Sequence, residues 1–169
     1  MYHTTIVTGD TGDPQKNYRL EDSLGLLVNQ ASRSIRRRFD TELARRNLMV
    51  TGEQFGLMVH LWHRGAQHQK DLAGILAKDK TTIARLVDAL EARGMVYRTS
   101  DPGDRRHNLV SLTDLGQESM AGLTAAAQAV LNEAVRQVPP EQVATCKQVL
   151  RGICSALDPQ WVLEEGGGT

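Results

Sequence analysis

The chain has 169 residues, with 20 Lys and Arg against 20 Asp and Glu, and only 4% of its residues are aromatic. That length suits one domain with a full core, and zero net charge excludes a uniformly basic nucleic-acid binder. No apolar run approaches the ~20 residues of a membrane span, so no membrane association is expected.

Neutrality hides a segregated charge pattern. Residues 33–46 carry six arginines against Asp40 and Glu42, a net +4, and residues 78–107 carry a net +2, while 113–169 carry a net −4. A local basic face on a neutral chain is therefore possible.

Residues 1–17 are polar and lack a signal-peptide stretch, which predicts a flexible N-terminal arm and a cytoplasmic protein. Over 18–47, Leu20, Leu24, Leu27, Ala31, Ile35, Phe39 and Leu43 recur every three or four residues, the pattern of one long amphipathic helix. A helix this long is expected to pack part of its stripe on another subunit. Arg36, Arg37 and Arg38 are expected on a solvated face or in an intersubunit ion pair.

Thr51 and Gln54 form a capping-box pattern that opens a second helix, ended by Gly65. Two short helical patterns follow, "HQKDLAGILAKD" and "DKTTIARLVDALEARG", separated by the short gap of a helix-turn-helix. Asp79 is the expected N-cap of the second and Gly94 its C′ residue. On a wheel of about 100° per residue, Leu86, Val87 and Leu90 fall within roughly 60° of Ile83, and Thr81, Arg85 and Asp88 fall near the opposite pole. One stripe can be buried while the other meets a major groove, where Arg can pair with guanine and Thr can meet phosphate or a thymine methyl. Lys80 at the helix start would face phosphate.

"MVYRTS" and "NLVSL" read as two strands joined by the charged hairpin "DPGDRRH". A hairpin directly after a recognition helix is a wing, whose arginines can enter a minor groove. Asp104, two residues before Arg106, is placed to hold that arginine. Thr113 then caps an Ala-rich helix running to about Val138, and a last helix spans Glu141 to Leu157, with a solvated tail over 159–169. Cys146 and Cys154 share that helix's apolar face and are expected to be buried thiols. An oxidant-sensing pair is the alternative. At ~1.5 Å rise per residue they lie ~12 Å apart, too far for a bridge within the helix.

The segment "LVDALEARGMVYRTSDPGDRRHNLVSLTDLG" resembles the MarR family of bacterial transcription regulators in its recognition-helix end, DxxDRR wing and "LT..G" start of the next helix. The similarity covers roughly residues 20–157. The expected fold class is mainly α, a winged helix-turn-helix over 51–112 with two short wing strands. The resemblance implies dimerisation through long terminal helices, 18–47 and 113–158, and two winged helices presented to an inverted repeat in double-stranded DNA. It places Arg85 at the family's recognition-helix arginine, Asp104 at the wing aspartate, Arg106 in the minor groove and Arg105 on phosphate. Lys80, Thr81 and Thr82 sit where family members touch DNA. The candidate DNA-binding set is thus Lys80, Thr81, Thr82, Arg85, Arg98, Asp104, Arg105 and Arg106.

The family's binding of small aromatic or phenolic effectors makes His60, Trp62 and His63 candidate pocket residues. The spacing of His60 and His63 is close to that of metal ligands, but no Cys or Glu cluster accompanies them, so neither metal nor cofactor is expected. No phosphate loop, carboxylate pair or Ser/His/Asp arrangement stands out, so the chain is not expected to be an enzyme. The expected function is a sequence-specific transcriptional regulator, a repressor released from DNA by a small ligand. A winged-helix protein-interaction module is the alternative of a different class.

Overall fold

A computed structural model describes residues 23–103 and 108–157. The first helix, α1, spans Leu24–Arg45. It is 22 residues long, shorter than the periodicity over 18–47 predicted, and residues 18–22 lie outside the described segment. α2 spans Gly52–Arg64, and both halves of the predicted capping box are present: Gln54 N–H donates to Thr51 Oγ1, and Thr51 N–H donates to Gln54 Oε1. Gly65, at φ +70°, ends it as predicted.

The helical pattern "HQKDLAGILAKD" begins at His68, but Gln67–His68 form a short strand, β1, and the helix α3 is only Gln69–Ile75. β1 pairs antiparallel with β3, Gln67 facing Val110 and His68 facing Leu109. Two residues cannot declare a strand by periodicity, and their partners lie more than forty positions away. α4 spans Lys80–Glu91, and β2 (Val96–Ser100) and β3 (Asn108–Leu112) form the predicted hairpin. The sheet order is β1-β3-β2, so β2 is an outer strand.

Three helices end alike. Met95 N–H bonds Leu90 O and Gly94 N–H bonds Glu91 O, the paired bonds of a Schellman motif with Gly94 at φ +69°. Asn47 (φ 56°) closes α1 and Ala77 (φ 48°) closes α3 with the same pair of bonds. Asn tolerates this conformation, whereas Ala does so at a cost of roughly 1–2 kcal/mol. Only the glycine announces such an ending in sequence.

Thr113 caps α5, which spans Asp114–Ala134 and stops short of the predicted Val138; residues 135–138 make turns instead. α6 spans Pro140–Leu157, with Pro140 at its first position, where the missing N–H costs nothing. The core joins Leu43 of α1, Leu57 and Met58 of α2, Leu72 of α3, Ile83 and Val87 of α4, Val96 and Val110 of the wing and Met120 and Leu123 of α5, so both recognition elements are anchored on one apolar body.

α6 contributes nothing to that core. None of its residues is buried, Cys146 is exposed and Cys154 half-buried, which corrects the expectation of two buried thiols. Periodicity identified an apolar face correctly, but a face is buried only if something covers it.

Candidate nucleic-acid interface

α4 is set by its cap. Asp79 Oδ1 accepts Thr82 N–H at 2.8 Å and Asp79 Oδ2 accepts the Thr82 hydroxyl at 2.6 Å. These bonds, the hydroxyl's foremost, hold the Asp79 carboxyl below its ordinary range. Ile83, Val87 and Leu90 are buried and Leu86 is half-buried, while Thr81, Arg85 and Asp88 are exposed, matching the wheel; Lys80 is exposed at the helix start. The Thr82 hydroxyl is committed to the cap, so of the predicted contacts on α4 the exposed ones are Lys80, Thr81 and Arg85.

The wing rises beside that face. Asp101 Oδ1 accepts Gly103 N–H at 2.7 Å and its Oδ2 lies 3.2 Å from His68 Nε2, which ties the start of the tip to β1. Asp104, Arg105 and Arg106 lie outside the described residues.

Arg98 is not a free contact residue. Its guanidinium bonds Asp88 Oδ1 at 2.5 Å and Gln69 Oε1 at 3.0 Å and pairs closely with Glu91 Oε2, and its side chain is only 19% exposed. Its donors are engaged within the chain, so exposure does not carry its place among the candidate contacts as it does for Lys80, Thr81 and Arg85.

The three candidate pocket residues differ in exposure. His60 is half-buried; burial, then the charges of Arg64 and His63, push its imidazole below the ordinary value. The Trp62 and His63 rings lie 5.0 Å apart on the surface, and Trp62 borders a depression of about 220 Å³ with Tyr97, Ser111 and Gln117. A far larger cleft, about 970 Å³, lies elsewhere, between the first half of α1, Phe55 of α2, the end of α5 and α6. Among the described residues no group of three or more His, Cys, Asp or Glu could hold a metal ion.

One polar centre escaped sequence reasoning. Glu42 is buried in α1, bonded by Arg45 at 2.7 and 2.9 Å and by Arg46 at 2.7 Å, with Arg38 at 3.5 Å. The signal was present as arginines three and four residues from one carboxylate. Arg38 also reaches Glu133 of α5 at 2.8 Å and Arg36 reaches Glu53 of α2 at 2.9 Å, so two of the three adjacent arginines are paired within the chain. Hydrogen bonds from Arg45 and Arg46 lower the Glu42 carboxyl to about 2. A carboxyl depressed on folding contributes stability above its ordinary value near 4.5, lost as pH falls from there through about 2. Glu42→Gln is therefore expected to lower Tm at neutral pH and to flatten the fall of Tm in acid. A calorimetric pH series checks it, and an unchanged acid slope would count against it.

The family model described as MarR family matches residues 50–107. A solved structure of a probable transcriptional regulator from Pseudomonas aeruginosa is 30% identical and superposes with a TM-score of 0.69 over 82% of this chain and 99% of its own. The chain belongs to the MarR family. The repressor NicR of Pseudomonas putida is 39% identical to it over 40% of this chain and 42% of NicR, so the chain spans about two fifths of that relative. A mutant MarR from E. coli, solved in complex with operator DNA, shares the fold at 24% identity, with a TM-score of 0.70 over 77% of this chain and 92% of that one. The MarR-family match covers the helix-turn-helix and the wing as far as His107, which contain every candidate contact residue named above.

Proposed function

We propose that this chain is a sequence-specific transcriptional repressor that binds an inverted repeat in double-stranded DNA as a homodimer and is released by a small aromatic ligand. The observation that carries this is the face of α4: Thr81 and Arg85 stand exposed on the side opposite a fully buried stripe, with Lys80 exposed at the helix start, directly beside a hairpin. Segment 51–112 acts as the DNA-binding unit, with Arg106 entering a minor groove, Asp104 holding it and Arg105 on phosphate. α1, α5 and α6 are the dimerisation elements. In a cell the regulator acts in the cytoplasm. The depression bordered by Trp62 and Tyr97 lies where α2, the wing sheet and α5 meet, so an aromatic ring bound there would shift the wings relative to the dimer body.

Selection from a random-sequence duplex pool tests this reading. A palindromic site with half-sites about one turn apart is expected, with affinity falling steeply as salt rises. Arg85→Ala is expected to cost about tenfold or more and to relax preference at one base pair per half-site, whereas Lys80→Ala weakens all sequences alike and lowers the salt slope. If no sequence is enriched, the reading fails, and the protein-interaction module takes its place. A disulfide-linked dimer after mild peroxide would favour the oxidant-sensing variant through Cys146 and Cys154, since Cys146 is exposed.

A further inference from the structure

We infer that Arg98 is the positioning residue that fixes the wing against α4 while neutralising the two carboxylates that α4 carries beside its DNA-facing side. Its consequence for DNA rests on the function proposed above; its geometry does not.

Strand alternation puts Val96, Arg98 and Ser100 on one face of β2, and Val96 there is fully buried. Arg98 therefore occupies an inward position, where an apolar residue would be the ordinary choice. The guanidinium fork instead reaches three side chains on two helices at once: Asp88 and Glu91 on α4 and Gln69, the first residue of α3. Its backbone N–H donates to Glu91 Oε1 at 3.2 Å. β2 is an outer strand, so this donor is satisfied by the last residue of α4 and not by a fourth strand. Side chain and main chain of one residue thus hold the wing's outer edge to the helix. A planar fork of five donors can do this; a lysine ammonium cannot reach three acceptors in the same geometry.

The second role is electrostatic. Asp88 lies on the same exposed side of α4 as Thr81 and Arg85, and Glu91 follows one turn later. Two carboxylates beside a phosphate backbone would oppose binding, and Arg98 offsets them within hydrogen-bond distance. Asp88 and Glu91 are solvent-exposed, so each pair contributes little to global stability. Orientation and DNA affinity should therefore suffer more than folding.

The test uses the full chain carrying Cys146→Ser and Cys154→Ser, with spin labels at Thr81→Cys and Thr99→Cys, without DNA. Arg98→Met, which keeps the packed stem, is expected to broaden and shift the inter-label distance distribution while Tm changes by only a few degrees; Arg98→Lys should fall between. On the duplex enriched by the wild-type chain, unlabelled Arg98→Met should bind on the order of tenfold more weakly. It should lose hydroxyl-radical protection under the wing before protection under α4. Adding Asp88→Asn and Glu91→Gln to Arg98→Met should regain part of the affinity but not the narrow distribution. A distance distribution unchanged by Arg98→Met overturns the positioning role, whatever happens on DNA. No regain in the triple variant overturns the neutralising role. Should the wild-type chain enrich no duplex, the proposed function fails, and the label distances alone decide the positioning role of Arg98.

Discussion

Replacing Gly116 by alanine is expected to destabilise the chain by about 2–4 kcal/mol, although the same change inside an ordinary helix would gain up to about 1 kcal/mol. A Cβ at Gly116 would stand 2.1 Å from the carbonyl oxygen of Met95 and 3.3 Å from Leu112 Cδ2. The oxygen is backbone and has no room to retreat: it accepts Thr113 N–H at 3.0 Å, while the Thr113 hydroxyl donates to the neighbouring Gly94 O at 2.5 Å and accepts Gly116 N–H at 3.0 Å. These bonds fasten the start of α5 to the turn between α4 and the wing, so the helix cannot move away without giving them up. For a chain of this size the loss corresponds to a Tm lower by roughly 5–15 °C. Gly122→Ala is the internal control, since its Cβ would meet Leu48 at an ordinary 3.6 Å and should leave Tm unchanged or raised. Equal melting of Gly116→Ala and the parent chain would show that α5 does not approach the wing this closely.

Gly116 also shows where sequence reasoning stops. "LTDLG" is recognisable as the start of a helix because Thr113 bonds the amide three residues on, an interaction contained in five residues. The reason its fifth member must be glycine lies in Met95, twenty-one positions earlier. Features of the first kind were legible: the Thr51–Gln54 box, Asp79, Gly94 and the buried stripe of α4 all follow from local hydrogen bonding and periodicity. Features of the second kind were not. β1 exists only because β3 offers it an edge, and Arg98 looked like any wing cation until Asp88, Glu91 and Gln69 were seen around it. His60, Trp62 and His63 became pocket candidates through the family resemblance; around the end of α2, His60 is half-buried while Trp62 and His63 share the exposed surface. Along α4 the candidate interface was readable almost residue by residue, because exposure there is the complement of a burial pattern the sequence does encode.

Introducing a carboxylate at Leu131 is expected to separate the proposed homodimer. Leu131 is 48% exposed and lines the large cleft with Leu27 and Ile35 of α1 and Val149 and Leu150 of α6. Leu24, Leu27 and Val149 are each at least half exposed, and monomeric chains rarely leave so continuous an apolar face in water. A second copy, offering the same face in return, is the occupant with matching chemistry, and it would also cover Cys146. Because Leu131 is not part of the buried core, Leu131→Asp should leave the winged-helix region folded while costing several kcal/mol across a desolvated interface. Sedimentation velocity should show a shift from dimer to monomer mass. The effect on DNA should be larger than that of any single contact residue: two half-sites held by one dimer gain an effective concentration that separate monomers lack, so affinity for the palindrome should fall by about 10²–10⁴-fold. A single half-site should be bound equally by both forms. A variant that keeps dimer mass and full palindrome affinity would place the two-fold contact away from α1, α5 and α6, leaving their apolar face to another partner.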